Sequence, residues 1–291
     1  MSDVRYEAPR SVDEAVILLG SAASARVLAG GTDLLVQMTS GARRPETVVN
    51  VKHIPELTGF VIEADGTLRL GAALCAAEIA DNARLRESYP GLTEAVGLIG
   101  SAQIQSRASV GGNLCNASPA ADAVPALVAL GARAEIAGRG VRRREVPVES
   151  FVTAPGRTVL APDELLVALR IPAPPARSAD AYLRFIPRTE MDIAVVGAAV
   201  CIALAPDGSV AAASVALGAV APTVKAVPAA AAALAGSRLE DAALERAAEA
   251  ARAACDPIDD KRGTATYRRK VAGVLTVRAA RIAFERAQAR L

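Results

Sequence analysis

Two glycine pairs with matching surroundings carry most of the chemistry legible in this 291-residue chain. The first lies in Val27-Leu28-Ala29-Gly30-Gly31-Thr32-Asp33-Leu34. The second lies in Ser109-Val110-Gly111-Gly112-Asn113-Leu114-Cys115-Asn116-Ala117-Ser118-Pro119. In each, an apolar stretch meets two glycines and then small polar residues that cap or continue the next element. Paired glycines let backbone N–H groups converge on an anion, because no Cβ blocks its approach. Two such loops point to a ligand with two phosphates, held from two sides. Neither pair has the G-x-G-x-x-G spacing of a Rossmann fingerprint, and no G-x-x-x-x-G-K-[ST] segment exists. Asp122, just past the second pair, has two readings: acceptor from a ribose hydroxyl, or a first-turn acid favouring the helix dipole.

Acid–base and metal chemistry are nearly missing. The only histidine, His53, sits in Val51-Lys52-His53-Ile54-Pro55 with no nucleophile motif nearby, and reads as a surface residue. Cys75, Cys115, Cys201 and Cys255 lie far apart without a C-x-x-C pair, which argues against an iron–sulfur or zinc site in this chain. They read as reduced, mostly buried thiols. A place for a nucleotide cofactor with little proton-transfer machinery suits a redox cofactor that performs its own chemistry while the protein orients it. Aromatic residues make up only 3% of the chain and Trp is absent, so the flat walls such a ring needs fall to residues such as Ile99, Leu114 and Leu166.

The elements that must position these loops follow from capping and periodicity. Ser11 precedes Val12 to Leu19, with acids in the first turn and Gly20 at the end, a short capped helix. Ala25 to Ala29 reads as a strand entering the first glycine pair, Asp33 to Thr39 as a helix stopped by Gly41, and Thr47 to Val51 as the next strand. Phe60 to Glu63 and Thr67 to Leu70 form a hairpin across Ala64-Asp65-Gly66. Helices are predicted over Ala76 to Leu85, Gly91 to Ile99 and Ala120 to Leu130, and strands over Ala132 to Ala137 and Arg142 to Val148. The proline-dense Ile171-Pro172-Ala173-Pro174-Pro175-Ala176 marks a boundary. Beyond it, Ala181 to Ile186, Ala194 to Leu204 and Val210 to Ala219 read as a small antiparallel sheet. Alanine-rich helices follow from Ala229, the last over Tyr267 to Leu291.

The bulk numbers agree with a globular protein of two regions. Ala, Val and Leu must build a core from a chain that is 52% hydrophobic. Thirty-three basic against 31 acidic residues give a net charge of +2, well mixed, so no basic field points to nucleic acid. The longest apolar run, Ile193 to Ala205, is shorter than the roughly 20 residues of a membrane span. With no apolar signal region at Met1 to Glu7, a cytoplasmic location is expected.

The second glycine segment, extended to Arg107 and Asp122, together with Ala29-Gly30-Gly31-Thr32-Asp33-Leu34, resembles the two FAD-binding segments of the molybdenum hydroxylase flavoproteins. These are the medium subunits of the xanthine dehydrogenase and carbon monoxide dehydrogenase family. The likeness extends to Pro187 to Gly197 and to Tyr267 to Leu275, and so spans essentially the whole chain. It implies an α+β fold: a vanillyl-alcohol-oxidase/PCMH-type FAD-binding domain over 1–172, with subdomains of about 1–58 and 59–172, then a C-terminal flavoprotein domain over 177–291. It implies that Val27, Leu28, Ala29, Gly30, Gly31, Thr32, Asp33 and Leu34 wrap the FAD pyrophosphate, and that Ser109, Val110, Gly111, Gly112 and Asn113 meet it from the other side. Asp122 falls where the family's acid contacts the cofactor, Ile99 where a residue lines it, and Leu166 beside the flavin. Arg184 stands where relatives often carry Lys, which keeps the charge and changes its geometry.

What the resemblance implies for function is an oxidoreductase flavoprotein holding FAD without a covalent link. Its partners would be a small subunit with two [2Fe–2S] clusters and a large molybdenum–pterin subunit, arranged as a dimer of heterotrimers. Electrons would pass from the clusters through FAD to an external acceptor. Two readings stay open beside it: a self-sufficient flavin oxidase or dehydrogenase of related fold, and a binding module that has lost its flavin. Arg188 and Asp192 read as an ion pair tying the C-terminal sheet to the FAD region. On the cradle picture, Gly30→Val or Gly111→Val is expected to abolish FAD retention with the fold largely intact.

Overall fold

The computed structural model describes residues 4–140 and 142–290. At the N-terminal end, β1 (Arg5–Glu7), α1 (Val12–Ser21), β2 (Ala25–Leu28), α2 (Leu34–Thr39) and β3 (Thr47–Asn50) alternate. The three strands form a parallel sheet in the order β1-β3-β2. Ser11 starts α1 by accepting a 3.2 Å hydrogen bond from the Glu14 N–H, and the Glu14 carboxylate accepts one from the Arg10 N–H. The inner face of α1 buries Val12, Ala15, Val16 and Leu19.

A chain of short elements follows: α3 (Pro55–Thr58), β4 (Phe60–Ile62), β5 (Leu68–Gly71), α4 (Ala76–Asp81), α5 (Ala83–Ser88), α6 (Pro90–Gly97), α7 (Ala102–Gln105), α8 (Val110–Cys115) and α9 (Ala123–Ala129). Next come β6 (Arg133–Gly138), β7 (Arg142–Pro147), the small ribbon β8 (Val152–Ala154) with β9 (Arg157–Thr158), and β10 (Leu165–Ile171). A five-stranded antiparallel sheet in the order β4-β5-β10-β6-β7 results. Its central strand, β10, is absent from the sequence reading. Every residue but one of Leu-Leu-Val-Ala-Leu-Arg-Ile is buried, so the strand lacks the alternation that marks a half-exposed one. Leu165 and Val167 face the core under α1, whereas Leu166, Leu169 and Ile171 face the core built by α6 and α9.

The C-terminal part is β11 (Ser178–Phe185), β12 (Val196–Leu204), β13 (Val210–Gly218) and β14 (Lys225–Ala226), an antiparallel sheet in that order. It is covered by α10 (Pro228–Leu234), α11 (Asp241–Ala254) and α12 (Ala265–Gln288). The mixed helix and sheet content is the α+β class expected. No helix among the described residues is long and apolar enough to cross a membrane.

Several local expectations are corrected. The helix expected over Ala76 to Leu85 is two helices, because the Asn82 side chain accepts from the Leu85 N–H and starts α5. The second glycine pair is not a loop: Gly111 and Gly112 lie in the first turn of α8, whose cap is Ser109. The last helix starts two residues before Tyr267, at Ala265, and Leu291 lies outside the described residues. Asp192 pairs with Arg188 at 3.3 Å and with Arg262 at 3.0 Å. It therefore ties the Arg188 loop to the segment before α12, not to the FAD region.

Ties between the two regions run elsewhere. Glu94 on α6 pairs with Arg286 on α12 and accepts from the Tyr182 N–H at 3.1 Å. Asp180 on β11 accepts a 2.9 Å bond from the Leu92 N–H at the start of α6. Burial pushes the Asp180 carboxyl from its ordinary 3.8 up to about 6, and the nearby Glu94 charge adds to the shift. A folded-state value above the unfolded one means the native protein binds this proton first, so the burial penalty is relieved as pH falls from about 6 towards 4. Asp180→Asn removes the titration. Thermal melts from pH 7.5 to 4.5 are predicted to show the difference between wild type and variant moving in favour of wild type by on the order of 1–3 kcal/mol. A pH-independent difference would contradict this placement of the proton.

Candidate cofactor site

A cavity of about 480 Å³ opens between the parallel sheet, the start of α8 and the β9–β10 connection. That is within the range of sites for drug-sized ligands and cofactors, about 300–1,000 Å³. Thirteen of the residues singled out from sequence line it: Val27, Ala29, Gly30, Gly31, Thr32, Asp33, Leu34, Ile99, Ser109, Gly111, Gly112, Asn113 and Leu166. Strand β2 delivers the first group and the cap of α8 the second. Leu28, Val110, Asp122 and Arg184 do not line it. The Leu28 side chain packs towards Gly31, and Val110 is buried in the core.

Asp122 is taken up by the protein rather than left for a ribose. Its carboxylate accepts from the Tyr182 hydroxyl at 3.1 Å and from the Arg184 guanidinium at 3.0 Å. Arg184 also donates to the Leu98 carbonyl at 2.7 Å, next to the cavity residue Ile99. This buried triad braces the cavity wall from behind. Burial pushes the Asp122 carboxyl up to about 6, with Arg184 and Tyr182 pulling the other way.

The two glycine pairs do different work. Among the described residues, the N–H groups of Gly30, Gly31, Thr32 and Asp33 donate to no protein acceptor. Those of the second pair are spent: Gly111 donates to the Ala72 carbonyl at 3.1 Å and Gly112 to the Ser109 hydroxyl at 3.1 Å. The first loop therefore has N–H groups free to converge on an anion, whereas those of the second pair already have protein acceptors. A Cβ on Gly30 would lie closer than 3.0 Å to the Arg107 carbonyl, and one on Gly111 equally close to Ala72 backbone. Neither glycine makes room for a ligand; each makes room for the backbone opposite. Gly112 differs, because a Cβ there would touch only the Ser109 hydroxyl, at 3.0 Å, with open space beyond it.

Among the further residues that line the cavity, sequence reasoning missed the polar Arg26, Gln37, Arg43 and Asn116. Burial, and then the charge of Arg43, lowers the Arg26 guanidinium. Two like charges held close beside unpartnered amides form a site for an anion. Arg26 lies in strand β2 just before the glycine segment that starts at Val27, and Gln37 is the one amide in the otherwise apolar start of Leu-Leu-Val-Gln-Met-Thr. Those were the available signals. Cys115 is exposed on the cavity wall, Cys75 and Cys201 are half-buried, and only Cys255 is fully buried, so the expectation of mostly buried thiols is corrected. His53 is exposed. No group of three His, Cys, Asp or Glu among the described residues is placed to hold a metal.

Two family profiles match this arrangement. One, described as the FAD binding domain in molybdopterin dehydrogenase, covers residues 2–174. The other, the CO dehydrogenase flavoprotein C-terminal domain, covers residues 181–283. The chain belongs to the FAD-binding medium subunits of the molybdenum hydroxylase family. It is 33% identical over 282 residues to the carbon monoxide dehydrogenase medium chain of Hydrogenophaga pseudoflava, covering 97% of each chain. The xanthine dehydrogenase FAD-binding subunit of Escherichia coli O157:H7 is 34% identical over 196 residues, 67% of this chain and 66% of that one. Among solved structures, reconstituted CO dehydrogenase from Oligotropha carboxidovorans matches with a TM-score of 0.93 at 33% identity, over 98% of both chains. FAD is accordingly the cofactor of this oxidoreductase flavoprotein, and free amides beside two arginines fit its diphosphate.

The glycine geometry reverses the simple substitution test. Gly112→Val is predicted to lower FAD affinity by about tenfold or more while thermal stability stays within about 1 °C. Gly30→Val and Gly111→Val instead force backbone apart and lower stability by about 2–4 kcal/mol, with flavin loss as a consequence. Thermal melts of the three variants beside FAD titrations separate the two classes.

Proposed function

We propose that this subunit carries electrons: it accepts them from [2Fe–2S] clusters of a small partner subunit and passes them through FAD to an external acceptor. A large molybdenum–pterin subunit would hydroxylate the substrate, in a dimer of heterotrimers. The relatives named as medium chains and FAD-binding subunits support this division of labour. The observation that carries the reading is the pairing of a dinucleotide-sized cavity with a wall that has phosphate-binding groups and little proton-transfer machinery.

When bound, FAD would take up electrons one at a time and release them singly or in pairs. The chain's own residues hold and orient it. The Gly30 to Asp33 amides donate to phosphate oxygens, and Arg26 and Arg43 neutralise their charge. Ile99 and Leu166 provide apolar wall, and the Asp122–Arg184–Tyr182 triad keeps that wall in place. Glu164, the carboxylate at the far rim, is held ionised by Arg144, which bonds it at 2.6 and 2.8 Å. It is therefore poorly suited to act as a proton donor near neutral pH. No covalent link is needed to retain a ligand gripped by charge and amides.

The purified chain, mixed with FAD and desalted, is predicted to show oxidised-flavin absorption and to release unmodified FAD on denaturation. Arg26→Gln and Arg43→Gln each weaken FAD binding by about tenfold, and the salt dependence of binding falls with them. The isolated chain turns over no substrate, whereas flavin in the co-expressed complex is bleached by the substrate of the large subunit. Turnover by the isolated chain would favour a self-sufficient flavin enzyme instead.

A further inference from the structure

Helix α2 is held to the protein in an unusual way. None of its six residues is buried, and Leu35 and Val36 are 51% and 66% exposed. It makes no extensive contact with any other helix or strand. A helix this short has little stability of its own, since isolated helices below about 12–15 residues are marginal. Gly31 precedes it at φ +78° and Gly41 follows it at φ +77°, left-handed conformations that glycine adopts without strain. A Cβ on Gly41 would meet only the Arg44 side chain, so nothing else packs against that bend.

Within residues 31–41, every hydrogen bond among the described residues closes inside 31–43, with one exception. The exception is the Gln37 Nε2 donor to the Asn116 Oδ1 acceptor, at 3.1 Å. It crosses from α2 to the end of α8, and both residues line the cavity. The bond therefore joins the two walls between which the diphosphate is placed.

We propose that residues 31–41 form a hinged strap over the FAD cavity, and that the Gln37–Asn116 bond is the fastener that sets how fast FAD leaves. The inference rests on the FAD reading above and adds two residues to it. Gly31 and Gly41 provide the bends, and the absence of burial lets α2 swing without opening the core. The amides of Gly31, Thr32 and Asp33 ride on the moving piece, so opening the strap withdraws them from the phosphates, while Gly30 stays against Arg107. With the bond made, FAD leaves only after it breaks. With either amide removed, the strap opens freely.

The test uses the full chain loaded with FAD, and follows the rise in flavin fluorescence as FAD dissociates on dilution. Gln37→Ala and Asn116→Ala are each expected to raise the off-rate by about 2- to 12-fold, the range one neutral hydrogen bond supplies. The double variant is expected to match the singles rather than multiply them, because both remove one bond. Melting temperatures stay within about 1 °C of wild type. Amide exchange over residues 34–40 slows on FAD addition in wild type and much less in Gln37→Ala. Off-rates unchanged in both singles, or multiplying in the double variant, would overturn the fastener while leaving the FAD site standing. A wild-type chain that binds no FAD at all would overturn both.

Discussion

Backbone meets backbone at two points in this protein, Gly30 against the Arg107 carbonyl and Gly111 against Ala72, each closer than any side chain would permit. These contacts bring the end of β2 and the start of α8 to a fixed separation. Everything else at the site follows from that separation. Gly111 is locked by its own N–H to Ala72, so α8 cannot slide. The first loop, by contrast, reaches the same gap with its amides unspent. The result is one rigid wall and one wall of free donors, an arrangement that stores binding capacity in the backbone instead of in side chains. Preorganised donors of this kind cost little to align when the ligand arrives.

The rigid wall depends on support from far along the chain. Strand β10 is buried on both faces and joins the core beneath the parallel sheet to the core beneath α6 and α9. Behind it, residues from β11 reach across: Tyr182 and Arg184 engage Asp122, and Asp180 holds the start of α6. Gly197, opposite Arg184 in the neighbouring strand, leaves room for the Tyr182 hydroxyl that a side chain would fill. The C-terminal sheet thus acts as a buttress for the cofactor wall without lining the cavity at any residue. A buried ion pair of this kind is costly to break, because the remaining charge is left unpaired.

Sequence patterning revealed elements marked by caps, flanking turns or periodicity, the doubly buried β12 among them, and missed β10. The capped α1, the β4–β5 hairpin and the C-terminal helices were legible from caps, turns and periodicity. Strand β10 was not, because burial on both faces erases alternation. Both glycine pairs line the cavity, yet spacing does not tell which of their N–H groups the fold has already used. Asp122 was singled out by its place after the second glycine pair and Arg184 through a family resemblance, and the fold shows them bonded to each other. Arg26, Arg43, Gln37 and Asn116 were overlooked because nothing local distinguishes a cavity-facing polar residue from a solvated one.

On the proposed function, the first loop supplies the phosphate-binding amides and the second does not. Backbone amide NMR of the uniformly nitrogen-15-labelled chain, titrated with FAD, tests it most directly. Large shifts are expected at Gly30, Gly31, Thr32 and Asp33, with Gly111 and Gly112 nearly still because their N–H groups stay on Ala72 and Ser109. Large shifts at Gly111 and Gly112 with the first loop unmoved would contradict it.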